Sequence, residues 1–322
     1  MTEALAFESP IEEHLIYFAK ALAPGHPVFM LNGYGDDRLV IKAESGSKAT
    51  DENIKFTAKI LGAIDRVAKP KVLTPTELSA LKSWAWMFYG SSDKGATELN
   101  RQLINSEQII AQGQSCVWVK MRTFKLMTLD DANKKMGTGD KTDVRYIAKI
   151  LNRKDQLEFL GRIVAADLFN NNGDRFHPEG GIKDYATLVN AGNVFIAVDP
   201  DQKKSRPLGL DGFDPNGDTR INTAPDASWL GKYLRSDQAA RRSQYARGII
   251  ADLNRLLGPR KRRTIFGSRQ RLDDDAATRL ATGMDQGITD IKFRLRQYYL
   301  KHGTRVSQGI SARVGMAGWT LP

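Results

Sequence analysis

The sequence has one cysteine, Cys116, and four histidines in 322 residues. A lone cysteine excludes an internal disulfide and any multi-cysteine zinc centre, and so few scattered histidines leave no His-rich metal cluster. No apolar run approaches the roughly 18 residues that a membrane span needs. The opening residues, MTEALAFESPIEEH, lack the basic start and apolar core of a secretory signal, so the expected compartment of synthesis is the cytoplasm. Common catalytic signatures are missing too. There is no G-x-S-x-G and no H-E-x-x-H, and the turn Gly33-Tyr34-Gly35 is not followed by the G-K-[ST] of a P-loop.

What is present is an ordinary globular composition, 41% apolar and 26% charged, in a chain long enough for one large domain or two packed lobes. The net charge of +11 is concentrated: between Gly231 and Arg271 stand twelve Lys and Arg residues against only Asp237 and Asp252. Such a stretch suits either a solvated basic face beside an anionic-ligand site or a surface for nucleic acid or anionic lipid. No zinc-finger spacing, RNP-like aromatic strand or basic zipper accompanies it.

Along the chain, residues 11–23 have helical spacing, with Ile11, Leu15, Phe18, Ala19 and Leu22 on one face. Residues 27–31 and 38–42 read as two strands around the glycine turn 32–37. A helix is expected from Thr50 or Asp51 to about Ala68, and a Trp-rich one from Glu77 to about Tyr89. Residues 115–121 read as a strand, continued or paired by 124–127. The Gly-, Lys- and Asp-rich stretch 134–143 is the expected lobe junction, which divides the chain into 1–133 and 134–322. Helices are expected over 144–151, 156–169, 236–257 and 274–302. A hairpin is expected from 185–189 and 194–199 around Asn190-Ala191-Gly192-Asn193.

The chemistry gathers in Asp167-Leu-Phe-Asn-Asn-Asn-Gly-Asp174-Arg175-Phe-His177 and in the strand-like run that ends at Asp199. A helix delivers an Asn-rich loop with an aspartate beside an arginine, and a second aspartate comes later at a strand end. Two carboxylates presented in this way suit Mg²⁺ with a nucleotide, one as metal ligand and one orienting a hydroxyl nucleophile. The plainer alternative is that Asn-Gly-Asp is turn chemistry and Asp199 caps the next element of the chain.

The letters G-R-I-V-A-A-D-L-F-N-N-N-G-D-R, then I-A-V-D-P, resemble the catalytic core of atypical protein-kinase-like enzymes. The nearest likeness is to the actin-fragmin kinase type; HipA, the four-jointed secretory kinases and the phosphoinositide kinases are more distant. The motif similarity runs from Gly161 to Asp201, and the rest of the chain agrees in element order alone. The resemblance implies a bilobal α+β fold, with a strand-containing small lobe and a helix-rich large lobe holding ATP and Mg²⁺ (or Mn²⁺) between them. It gives Asp174 the place of the catalytic aspartate and Asp199 that of the metal-binding one. For the second metal ligand, position in the expected hairpin points to Asp184, while the family letter pattern points to Asn193; Asp184 is preferred, because a turn residue would sit at the far end of the hairpin.

A kinase also needs a small-lobe strand lysine for the nucleotide phosphates. Lys42, in Leu39-Val40-Ile41-Lys42, is the preferred residue and Lys120 the alternative. Glu52 or Glu44 is the acid available to pair with Lys42. Gly33 and Gly35 either let backbone N–H groups approach phosphate or simply make a turn. Asp211, in Leu-Asp-Gly-Phe-Asp, follows no clear strand and reads as a turn residue, and Arg175 is expected to pair with a carboxylate and hold the loop.

The expected activity is ATP-dependent phosphorylation of a protein Ser or Thr, in a cytoplasmic protein or an effector delivered into another cell. Two rivals stand beside it. One keeps the fold but acts on a lipid or small molecule, or transfers AMP. The other is a non-catalytic pseudokinase that binds a polyanion or a protein through the basic stretch.

Overall fold

The computed structural model describes residues 125–178, 187–199, 202–209, 229–258, 271–303 and 308–320. Before them it describes the backbone of five strands and single helical positions at Thr76, Ser79, Ser83 and Ile104. The chain divides into two compact units, Met1–Lys59 with Val67–Thr123 and Ile60–Arg66 with Phe124–Pro322. The architecture is α+β, with antiparallel sheets and, in the second unit, long helices.

The first unit holds a five-stranded antiparallel sheet of order β1-β2-β3-β5-β4. Its strands are β1 (Ile16–Ala21), β2 (Val28–Gly33), β3 (Asp37–Glu44), β4 (Lys71–Val72) and β5 (Ser115–Arg122). The expected strand pair around the glycine turn forms as β2 and β3, with Val28 opposite Lys42 and Asn32 opposite Arg38. The helix expected over 11–23 is corrected: its second half is β1, paired to β2 from Ile16–Gly33 to Ala21–Phe29. Ile16, Tyr17 and Phe18 favour a pleated, half-buried surface, and an available strand partner outweighs a loose helical period. Both helices expected between 50 and 89 lie outside the described residues, apart from the single helical positions.

The first strand of the second unit is β6 (Lys125–Thr128), which was expected to continue or pair with β5. It belongs instead to a separate three-stranded sheet, β6-β7-β8, with β7 (Phe195–Val198) and β8 (Arg206–Leu208). Met127 faces Ile196 across one ladder and Ile196 faces Pro207 across the other. Pro207 is admitted because β8 is an edge strand, where a missing N–H costs no ladder bond.

Helix α1 (Leu129–Gly137) follows β6 directly. Thr128 Oγ1 accepts the Asp131 N–H at 3.0 Å, Asp130 and Asp131 fill the first turn, and Lys134 and Lys135 fill the last. Capping and charge therefore both match the helix dipole. A tight turn leads into α2 (Thr142–Leu151), where Asp140 Oδ1 accepts the Thr142 N–H at 2.9 Å and Lys135 reaches Asp143 at 2.6 Å. The stretch 134–143 is thus the corner of a helical hairpin, and the division between the two units falls earlier, at 123/124. Polar, Gly-rich sequence marks a helix–helix corner as readily as a linker.

Helix α3 (Lys154–Phe169) carries the expected stripe of Leu157, Leu160, Val164 and Leu168, all buried. Helices α4 (Ala239–Leu256) and α5 (Ala276–His302) close the core, and α6 (Gln308–Met316) follows. Glycines let α3 and α5 touch backbone to backbone. A Cβ at Gly283 would overlap the Glu158 carbonyl, one at Gly161 would overlap the Leu280 carbonyl, and one at Gly287 would lie 2.8 Å from Ala165 Cβ. Part of the basic stretch is structural. Buried Arg242 donates to Asp285 at 2.6 Å and to the carbonyl oxygens of Tyr233 and Arg235 at 2.8 Å, pinning α4 to α5 and to the π-helical turn Leu230–Leu234. No helix among the described residues is long and apolar enough to cross a membrane.

Candidate functional site

The Asn-rich loop is built by the end of α3. Asn170 closes the helix and Asn171 takes a left-handed conformation, φ 52°. The N–H of Asn172 bonds the Asp167 carbonyl at 2.8 Å and that of Asn171 bonds the Leu168 carbonyl at 3.1 Å. This nested pair is a Schellman ending, with asparagine in the place usually taken by glycine. Asn172 Oδ1 then accepts the Asp174 N–H at 3.0 Å, an Asx-turn, and its Nδ2 donates to Asp167 at 3.3 Å. Gly173 passes against Trp229, whose ring a Cβ there would meet at 2.6 Å. Each letter of Asn-Asn-Asn-Gly thus has a turn role, and together they deliver Asp174 with an exposed side chain.

Beneath the loop lies a buried ion pair. Arg175 Nη1 donates to both carboxylate oxygens of Asp167, at 2.8 and 2.7 Å, and each side chain is 2% exposed. Arg175 Nε donates to the Asn193 carbonyl at 3.0 Å, and Asn193 Nδ2 donates to the Asp174 carbonyl at 2.9 Å. One guanidinium therefore joins the helix end, the loop and the turn at 190–193. With Nδ2 committed to Asp174, the remaining polar atom of Asn193 is Oδ1, the atom that a hard cation takes.

Beyond Arg175 the chain turns back on itself. Phe176 bridges Val189, the His177 N–H bonds the Leu188 carbonyl at 2.8 Å, and the Asn190 N–H bonds the Arg175 carbonyl at 3.0 Å. The expected hairpin of 185–189 with 194–199 is corrected accordingly. The described part of its first run, 187–189, pairs with the loop, and β7 pairs with β6 and β8. Asp252 fixes the arrangement by accepting the Leu188 N–H at 2.6 Å.

This geometry brings Asn193 and Asp174 together and sets Asp199 apart from Asn193. The two lie at opposite ends of β7, about 20 Å apart at a strand rise of about 3.3 Å per residue. Side chains meeting on one Mg²⁺ at about 2.1 Å need Cα atoms within roughly 11 Å. Asn193 and Asp199 therefore cannot share an ion. Asp199 heads the β7–β8 turn: its N–H donates to Ser205 Oγ at 2.9 Å, and Ser205 is held by the Tyr146 hydroxyl at 2.8 Å. The sequence reading that Asp211 follows no clear strand is corrected. β8 precedes it, and the register Phe195–Leu208 returns the chain to the Asn193 end of β7. Asp211 lies outside the described residues, three past Leu208, which limits it to roughly 11 Å from that residue. The overlooked signal was a short strand hidden by Pro207.

Of the other expected residues, Lys42 lies in β3 opposite Val28 and Val117, and Gly33 ends β2 opposite Ile16. Lys120 pairs with Leu39, so the positions of Lys42 and Lys120 fall on opposite faces of the sheet. Gly35, Glu52 and Asp184 lie outside the described residues. Among the described residues no three His, Cys, Asp or Glu side chains cluster as a metal centre.

Tyr245, in α4, borders the buried pair. Its hydroxyl is buried without a hydrogen-bond partner, and burial, then the Asp167 charge, push its pKa well above the usual 10.0. An unsatisfied hydroxyl costs roughly 1 kcal/mol or more. Tyr245→Phe is therefore expected to raise the thermal midpoint by about 2 °C, read by calorimetry. A fall would mean that the hydroxyl has a role in the pair.

No family model matches the chain, and neither a curated protein nor a solved structure shows significant similarity to it.

Proposed function

We propose that the chain is a bilobal, protein-kinase-like phosphotransferase that moves the γ-phosphate of ATP to a protein Ser or Thr hydroxyl. The observation that carries this reading is the clamp of Arg175 on Asp167 and Asn193, which fixes the loop from behind while the Asp174 side chain stays exposed. A loop held this rigidly suits a reaction whose catalysis is mainly positioning and charge stabilisation.

In this reading Asp174 accepts a hydrogen bond from the acceptor hydroxyl and takes its proton as the oxygen bonds to phosphorus and ADP departs. Lys42, from the strand sheet, holds the nucleotide phosphates. Mg²⁺, when bound, neutralises charge on the phosphates. We assign its ligand pair to Asn193 Oδ1 and the Asp211 carboxylate, in place of Asp199, because the β7–β8 register runs β8 back toward the Asn193 end of β7. A Mg²⁺–ATP site needs only one or two protein carboxylates, so the lack of a larger acidic cluster among the described residues is compatible with it.

The test is transfer of label from γ-labelled ATP with Mg²⁺ or Mn²⁺ into proteins of bacterial and eukaryotic lysates. Asp174→Ala is expected to lower labelling at least about a hundredfold, the range for loss of a positioned acid–base group. Asp211→Asn should match that loss while Asp199→Asn leaves most of the activity. Failure of the wild-type chain to bind ATP would remove the reading altogether.

A further inference from the structure

Helix α5 faces the core with Met284, Ile288, Ile291 and Leu295, all buried. Its outward face changes character halfway along. In the first half that face is polar and its acids are engaged: Asp285 pairs with Arg242 at 2.6 Å and Asp290 with Arg162 at 3.4 Å. In the second half stand Phe293 and Leu300, 63% and 65% exposed, the two most exposed large apolar side chains among the described residues. Seven residues apart in a helix, they lie about 20° from each other around its axis and about 10 Å along it, which makes them one stripe.

Charge changes at the same place. After Asp290 the sequence has six Lys and Arg residues and no Asp or Glu through Pro322. Lys292 is turned onto the Trp319 ring, 5.0 Å from its centroid. Helical spacing sets Arg296 on one side of the apolar stripe and Arg294 and Lys301 on the other. Arg296 and Lys301 are exposed and Arg294 is half-buried, and none of the three meets a carboxylate among the described residues. The helix dipole favours cations only over the last turn, which accounts for Lys301 but not for Arg294 or Arg296.

An apolar line between cations fits a partner that is anionic at its surface and apolar beneath. A stable protein partner covers about 800 Å² on each side, several times what a 10 Å stripe on one helix offers. Duplex nucleic acid presents phosphates with no apolar layer for Phe293 and Leu300. An anionic bilayer meets both needs, because apolar side chains enter the acyl boundary while guanidinium and ammonium groups stay with the headgroup phosphates. We propose that the C-terminal half of α5 docks the protein on an anionic lipid surface, with Phe293 and Leu300 inserted and Arg294, Arg296 and Lys301 on the headgroups. This surface is independent of the phosphotransferase reading.

The experiment sediments the full chain with vesicles of phosphatidylcholine alone and of phosphatidylcholine mixed with phosphatidylserine. At low salt the mixed vesicles are expected to bind at least about tenfold more protein, and the difference should shrink as salt rises. Phe293→Ser with Leu300→Ser should lower binding to the mixed vesicles about tenfold or more. Circular dichroism and the thermal midpoint should stay those of the parent, since both side chains are exposed. Arg296→Glu with Lys301→Glu should weaken binding as strongly without touching the apolar stripe. Equal binding to both vesicles, or binding to neither, would overturn the proposal. So would binding that survives Phe293→Ser with Leu300→Ser and disappears when Arg260, Lys261, Arg262 and Arg263 become alanine, because the lipid surface would then be that cluster. Sedimentation equilibrium covers the protein alternative: a dimer abolished by the two serine substitutions, in a chain that ignores vesicles, would replace the bilayer with a second copy.

Discussion

Asp167→Ala should destabilise the second unit by about 3–5 kcal/mol, the usual cost of removing one member of a buried ion pair. Arg175 is 1% exposed, and the substitution removes the two oxygens to which its Nη1 donates at 2.8 and 2.7 Å. Water cannot replace them without opening the loop. Thermal and urea unfolding read the loss, and at about two to four degrees per kcal/mol the midpoint should fall by roughly 10 °C. Adding Arg175→Met should recover most of it, because an apolar pair of similar volume avoids the desolvation of two charges. The double variant separates folding from presentation of the loop. It lacks the Arg175 bond to Asn193, so it should stay deficient in phosphoryl transfer even where its stability returns. A single variant that unfolds like the parent would show that the pair is not a keystone of the loop.

Gly283→Ala carries the second large effect, and its sign is the informative part. An alanine inside a helix ordinarily stabilises it by about 1 kcal/mol relative to glycine. At Gly283 the new methyl would overlap the carbonyl of Glu158 on the neighbouring helix, so α3 and α5 must separate. Overpacking of this kind costs about 1–3 kcal/mol, and more where backbone must move. A net loss of roughly 2–4 kcal/mol is expected in urea titration. Gly315→Ala, at a position of α6 where a Cβ meets nothing within 4 Å, should instead gain up to about 1 kcal/mol. Equal behaviour of the two would refute the close helix contact.

Much of the fold was legible in the letters themselves. The buried stripe of α3, the long helices α4 and α5 and the pairing of β2 with β3 follow from periodicity and turn residues. The parts that escaped reading depended on partners far away in the chain. Residues 16–21 have helical spacing and become a strand because residues 28–33 offer a partner. Residues 206–208 hold a proline, and only an edge position in a sheet turns them into a strand. The site was legible as composition but not as geometry. Asp174 beside Arg175 was visible, whereas the pairing of residues 187–190 with the loop was not, because that partner lies across a turn and not in the run 194–199. The role of Arg175 in holding the loop to a carboxylate was readable; that the carboxylate is Asp167, eight residues back, was not.

The crossing of α3 and α5 also governs which substitutions can accumulate together. A clash between two side chains can be relieved by a compensating change on the partner, and such positions drift as pairs. Gly287 is only partly of that kind: Ala165→Gly would relieve the contact with Ala165 Cβ, but the Arg162 Cα would still lie 2.9 Å from the new methyl. Gly161 and Gly283 are not, because the obstructing atoms are the carbonyls of Leu280 and Glu158. Every amino acid carries a carbonyl, so no replacement at 280 or 158 makes room. Those two glycines are therefore locked individually, and variation at them must come with a shift of the whole helix, which at the end of α3 means a shift of Asp174.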